Sequence, residues 1–279
     1  MRKGFTLIEL IFVILIFGIL SKFGADILYK IYENYVYSNT FNRLENQSEA
    51  AVKQIANRLQ YRIKDATIAR IDAASPGILE IGDNIAGANV LEWIGMDIDG
   101  WHGTIDTTPP IGPDWSGFID LSASSATSLS TPGTLLPNNT SGAVFFIGSD
   151  VDLNSDFGWG GAITNQNGAM HPITFDGAGN IDSNTTADFT GVDVFEYYEF
   201  SKSAFAVALE GGGQLFLYYG FQPWAGQGIT SVSKSLLMEN VSSFKFTSMG
   251  DILIIQVCVD DGNVTGVGTY SICKEKVVF

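Results

Sequence analysis

A single carboxylate, Glu9, sits inside an apolar stretch running from Phe5 to Ala25 whose one other charge is Lys22. An acid at that depth in a bilayer costs roughly 2.5–3.5 kcal/mol on insertion scales, and a plain anchor has no use for that cost. A second chemistry-bearing pattern is Asp150, Asp152, Asn154 and Asp156, where oxygen ligands recur at every second position as in a calcium loop. Ser155 replaces the usual Gly at the sixth place and Gly161 the bidentate Glu at the twelfth, so this is not an EF-hand. It reads either as a looser calcium site or as a solvated acidic turn. Two cysteines, Cys258 and Cys273, flank the polar turn Asp260-Asp261-Gly262-Asn263. On a hairpin they face each other, and a disulfide closing roughly fifteen residues contributes about 3 kcal/mol. Such a bond needs an oxidising compartment; two reduced core thiols in a cytoplasmic protein are the alternative. Catalysis is poorly supplied. His102 and His171 are the only histidines, no Ser sits in a G-x-S-x-G elbow, and no phosphate-binding glycine loop follows a strand, so no enzyme is expected.

The elements that carry these residues follow from the pattern. About twenty mostly apolar residues, 5–25, are enough to cross a hydrocarbon layer of roughly 30 Å as a helix. Arg2 and Lys3 precede the span, which keeps the N-terminus cytoplasmic and sends the remainder outward. A secretory signal peptide shares that basic start, but the apolar run passes directly into helix-compatible sequence without an A-x-A cleavage site. No Gly or Pro occurs from Ala25 to Ser75, and Leu44, Ala51, Ile55, Leu59, Ile63 and Ala66 recur at multiples of three and four. This spacing predicts an amphipathic continuation of the helix over 26–72. Tyr29, Tyr32, Tyr35 and Tyr37 fit an aromatic belt where it leaves the membrane.

From 73 to 279 the helical period disappears, and short apolar runs alternate with Gly, Pro, Asn and Ser clusters, predicting a β-rich head. Candidate strands are 78–81, 90–94, 142–147, 192–200, 204–209, 214–221, 242–248, 252–259 and 267–278, with Glu210-Gly211-Gly212-Gly213 as a hairpin turn. The fold class is α+β, a long helix packed on an antiparallel sheet. Residues from about 100 to 188 read as an insertion of loops and short strands with a small core around Trp101, Trp115, Phe145, Phe146 and Trp159. A sugar-binding platform is the alternative use of those tryptophans. The charge is lopsided: of 30 acids in a chain of net charge -15, eighteen lie between Arg70 and Lys202, where no Lys or Arg occurs. Such a field repels nucleic acid and anionic lipid and admits a divalent cation or a basic partner.

Gly4-Phe5-Thr6-Leu7-Ile8-Glu9, preceded by Arg2 and Lys3, resembles the cleavage and methylation motif of type IV prepilins and pseudopilins. The resemblance implies that residues 1–4 are a leader, that a prepilin peptidase cuts after Gly4, and that the new amino group on Phe5 is methylated. It also implies that Glu9 pairs with the N-terminal ammonium of a neighbouring subunit. A buried acid is tolerated when an opposite charge neutralises it, which agrees. The proline that major pilins often carry near the membrane exit is absent; Asp26 occupies that region. The run Asn57 to Ala66, and the closing sequence from Leu236 to Phe246 with Ile252 to Val257, are similar to the J-type minor pseudopilin and the W-type minor pilin. The implied function is a minor subunit of a type IV pilus or type II secretion filament, near the tip and partnered by other pilins. It would be held in the inner membrane with a periplasmic head, and then in a periplasmic or extracellular filament. A tip-displayed binding module, an adhesin or substrate-recognition head using calcium, is the alternative.

Overall fold

The computed structural model describes residues 6–82, 87–103, 112–261 and 270–279. Its first element, α1 (Leu7–Leu59), is 53 residues long, about 80 Å at 1.5 Å per residue. Residues 7–39 are almost wholly exposed. Burial starts at Thr40 and recurs at Leu44, Ser48, Ala51, Val52, Ile55, Ala56 and Leu59, the three-and-four spacing of one helical face. The helix thus has a free half of about 50 Å and a half docked on the head.

The spacing predicts helix over 26–72, but α1 ends at Leu59 and a strand, β1 (Arg62–Arg70), follows. Arg62 turns the chain: its guanidinium donates to the Leu59 carbonyl at 2.8 Å and to the Asp251 carbonyl at 2.6 Å, satisfying a helix-end acceptor that would otherwise be orphaned. Ile63 and Ala66 mimic a helical pair because they are three apart. In a regular strand they would face opposite ways. The β1 register shifts between Arg62 and Thr67, and that irregularity returns Ile63, Ala66 and Ile68 to one core.

After β1 come β2 (Val90–Gly95), the short α2 (Ile98–His102), β3 (Ser128–Ser130), β4 (Thr140–Phe146), β5 (Met170–Phe175) and β6 (Asn180–Ser183). β7 (Tyr198–Ser201), β8 (Ser203–Glu210), β9 (Gln214–Phe221), β10 (Lys234–Met238), β11 (Val241–Met249), β12 (Ile252–Asp260) and β13 (Ser271–Val278) complete the head. They form a central sheet in the order β1-β2-β8-β9-β10, a closing sheet β11-β12-β13 and a distal sheet β3-β6-β5-β4-β7, all with antiparallel pairing. This is the α+β arrangement of a long apolar helix followed by antiparallel sheets.

All six residues of β2 are buried, so the central sheet is covered on both faces. Leu91 and Trp93 face a core shared with Leu44, Ile55 and Leu59 of α1 and with Phe244, Ile255 and Val257 of the closing sheet. Val90 and Ile94 face the opposite core, which Phe145, Phe157, Trp159 and Met170 complete. The segment expected as an insertion of loops and short strands is a layer that covers the central sheet. Its far face has a third core of Trp115, Phe146, Ile173, Phe175 and Phe200. Consecutive Phe145 and Phe146 divide between two cores as strand alternation requires.

The expected single aromatic cluster is thus split, and Trp101 lies outside it, 40% exposed, with its ring 4.7 Å from Trp115. Of the expected strand over 192–200, only the end pairs, as β7. The candidate over 78–81 is reduced to one bridge, Leu79 to Ala69. The Glu210 to Gly213 turn joins β8 to β9. Gly213 needs its positive φ of 73°, and a Cβ there would lie 3.0 Å from the Val241 carbonyl.

Candidate functional site on the N-terminal helix

Gly4 and Phe5 lie outside the described residues. Thr6 precedes the helix in an extended conformation, and its carbonyl accepts from the Glu9 and Leu10 amides. Glu9 thus occupies the first turn of α1, where the positive end of the helix dipole favours an acid. Its side chain is exposed among Leu7, Ile8, Leu10, Ile11 and Phe12, which are also exposed, and no described residue forms an ion pair with it. This helix is long and apolar enough to cross a membrane. A carboxylate in an apolar bilayer is costly unless a counter-charge neutralises it.

Where α1 meets the head, polar and aromatic contacts fix it. Lys274 of β13 pairs with Glu45 at 2.7 Å, and Tyr37 meets the edge of Tyr270 with ring centroids 4.9 Å apart. Beyond them the apolar face of α1 packs mainly on β13 and β12. Cys258 and Cys273 are direct cross-strand partners in that pair and are joined by a disulfide, with Cα atoms 4.0 Å apart. Asp260 and Asp261 begin the expected polar turn, whose Gly262 and Asn263 fall outside the described residues.

The four oxygen-bearing residues expected for calcium lie in the loop after β4. Asp152 Oδ1 accepts from the Asn154 amide at 2.9 Å, and Asp156 Oδ2 accepts from the Asp152 amide at 2.8 Å. Asp156 Oδ1 also accepts from Ser155 Oγ at 2.7 Å. These carboxylates cap their own loop, as acids do in Asx turns. Among the described residues, no group of three or more His, Cys, Asp and Glu is gathered to hold a metal.

The two histidines are on separate elements. His102 is exposed at the end of α2, whereas His171 is buried in β5 with Nδ1 3.0 Å from Gln166 Oε1. Burial lowers the His171 pKa to about 4, against a smaller opposite push from Asp156. Trp115 and Trp159 are buried in different cores.

The sequence reading missed a second polar centre, between the central sheet and the layer covering it. Arg70 Nε donates to Glu92 Oε1 at 2.8 Å, and both residues are buried. The same guanidinium donates to the Ser75 carbonyl at 3.3 Å, to Pro76 at 2.8 Å and to Trp159 at 3.1 Å. Burial pushes the Glu92 carboxyl up, and Arg70 opposes that push. The available signal was Glu92 in the middle of an apolar run, together with Arg70 as the last base before a long stretch without any.

Residues 1–21 match the family described as Prokaryotic N-terminal methylation motif. No curated protein and no solved structure matches the chain.

Proposed function

We propose that this chain, a type IV prepilin or pseudopilin by its N-terminal segment, works as a low-copy subunit at the tip of a pilus or secretion filament. The match of residues 1–21 to the methylation motif supports a structural subunit that is processed by prepilin peptidase and assembles with other pilins. One observation carries the assembly mechanism: Glu9 has no ion-pair partner among the described residues, on a helix that is exposed for about 50 Å. In the inner membrane this helix stores the subunit, with the N-terminus cytoplasmic and the head periplasmic. Peptidase cleavage after Gly4 frees the amino group of Phe5, which is then methylated. In the filament, the ammonium of a neighbour neutralises Glu9, so extraction from lipid replaces an uncompensated acid by a pair.

Three features support a minor role over a shaft role. Asp26 stands in the region where major pilins often carry a proline. The distal sheet adds a layer to the helix-and-sheet head. The runs similar to J-type pseudopilins and W-type pilins span the junction of α1 with β1 (Asn57 to Ala66) and the strands β10, β11 and β12 (Leu236 to Phe246 and Ile252 to Val257). Quantitative mass spectrometry of sheared filaments tests this: a few copies per filament are expected, and near-equality with the shaft subunit overturns it. Glu9→Leu tests the mechanism. The variant is expected to be cleaved normally yet stay in the membrane fraction, and normal incorporation into filaments sinks the charge-pairing argument.

A second reading, a binding head displayed at the tip, is favoured by the distal layer and its acidic, cation-free composition. Excising residues 100–188 is a poor test of it, because Phe145 and Met170 cover the central sheet. Surface substitutions on the distal sheet, scored for attachment or secretion while filaments persist, separate recognition from assembly. Calcium at Asp150, Asp152, Asn154 and Asp156 belongs to this reading. Binding there requires Asp152 and Asp156 to exchange loop amides for the ion.

A further inference from the structure

We propose that a polar cleft in the distal layer binds a neutral saccharide, a property independent of the filament role. The cleft has a volume of about 410 Å³ and opens between residues 148–150, 166–169 and 191–195. That volume lies within the range of small-molecule sites. Gly148, with φ of 112°, lets the backbone approach the Phe195 ring to a distance at which a Cβ would be only 3.2 Å from it. The cleft floor holds a built polar pair. His171 and Gln166 are each 1% exposed, and the imidazole lies against Phe146 and Phe189 with ring centroids 4.6 and 6.1 Å away.

The hydrogen bonds around this pair fix its chemistry. Gln166 Nε2 donates to the Pro172 carbonyl at 2.9 Å and to Ser183 Oγ at 2.7 Å. Its Oε1, 3.0 Å from His171 Nδ1, can only accept, so Nδ1 carries the proton and Nε2 a lone pair. Burial keeps this ring neutral, with a pKa of about 4. No described residue bonds Nε2. Among the described residues, Trp93 Nε1 and Trp159 Nε1 are sealed from solvent without a partner, Asp97 Oδ2 is sealed but pairs with Lys202 at 2.8 Å, and Nε2 is not among the sealed atoms. It therefore opens to the cleft that His171 lines.

The remaining groups select the ligand class. Asp150, Asp193 and Asn167 stand exposed on the rim, and Phe195 gives an apolar wall. Carboxylates and a lone-pair nitrogen accept hydrogen bonds, so the ligand must donate them, and anions are repelled. Among the described residues these acids and His171 are not close enough together to enclose one metal ion, so a ligand that links rim to floor is larger than an ion. A charged amine over a floor backed by Phe146 and Phe189 suffers desolvation, whereas a hydroxyl donating to Nε2 does not carry that charge inward. A hydroxyl-rich ring with one apolar face meets all four conditions.

The test is ligand-observed NMR on the detergent-solubilised full chain, against a panel of neutral mono- and disaccharides, with sialic acid, spermidine and calcium as counter-probes. At least one neutral sugar is expected to bind, with affinity weakened about tenfold, the equivalent of one lost charge-assisted hydrogen bond, in Asp193→Asn or Asp150→Asn. Both positions are exposed, so these variants test the rim without disturbing the core. His171→Phe is expected to abolish binding, and its folding is checked by tryptophan fluorescence. The proposal is overturned if the whole neutral panel fails, if spermidine or calcium binds in place of sugar, or if sugar binding survives all three substitutions.

Discussion

Replacing Arg70 by Met removes four donated hydrogen bonds at once and leaves the Glu92 carboxylate, 2% exposed, without its counter-charge. Breaking one partner of a buried pair costs about 3–5 kcal/mol, because the remaining charge has lost its compensation. All five tryptophans lie beyond α1, so intrinsic fluorescence in urea reports on the head alone, even for full-length chain in detergent. With a slope of about 3 kcal/mol per molar urea, the unfolding midpoint should fall by about 1 M or more. Two controls separate charge from packing. Arg70→Met with Glu92→Leu should recover at least half of the loss, since no unpaired charge remains buried. Glu92 is already pushed upward by burial, and without Arg70 it rises further. A raised acid binds more protons folded than unfolded, so stability falls as pH rises through its window. The gap between variant and parent should therefore narrow as pH falls from 8 to 5. A loss under about 1 kcal/mol, or a double variant no better than the single, refutes the reasoning.

Reducing the Cys258–Cys273 bond, or replacing both residues by Ser, should cost about 3 kcal/mol for a fifteen-residue separation, read as a urea midpoint shift. His171 has a folded pKa of about 4 against about 6.5 unfolded, so the unfolded state takes up the proton first. Stability should fall by about 3 kcal/mol between pH 6.5 and 4 from this group, and His171→Gln should lack that component in matched urea titrations. If calcium binds the 150–156 loop, millimolar calcium should raise the thermal midpoint, and Asp152→Asn with Asp156→Asn should remove the rise. An unchanged midpoint in the parent removes the calcium proposal.

The anchor and docked half of α1 were legible because both are carried by local composition and by one uninterrupted helical period. The end of the helix was not. Leu59, Ile63 and Ala66 keep helical spacing across a point where Arg62 and a strand irregularity reverse the chain, and only the tertiary partner Asp251 reveals the reversal. The hairpins around Gly211 to Gly213 and Cys258 to Cys273 were legible from turn residues flanked by apolar runs. The distal sheet was harder: β3 and β6 have three and four residues, too short to show alternation. The role of Arg70, 89 residues from its Trp159 partner, has no local signature.

The docked half of α1 also decides how the subunit carries tension. A pull along the helix axis loads its contacts with β13 in shear, and β13 is the edge strand of the closing sheet. Edge strands held by hydrogen bonds alone can be peeled away one bond at a time. The covalent rivet between Cys258 and Cys273 stops that peeling at their pair, so a load along the helix can strip β13 only as far as residue 273.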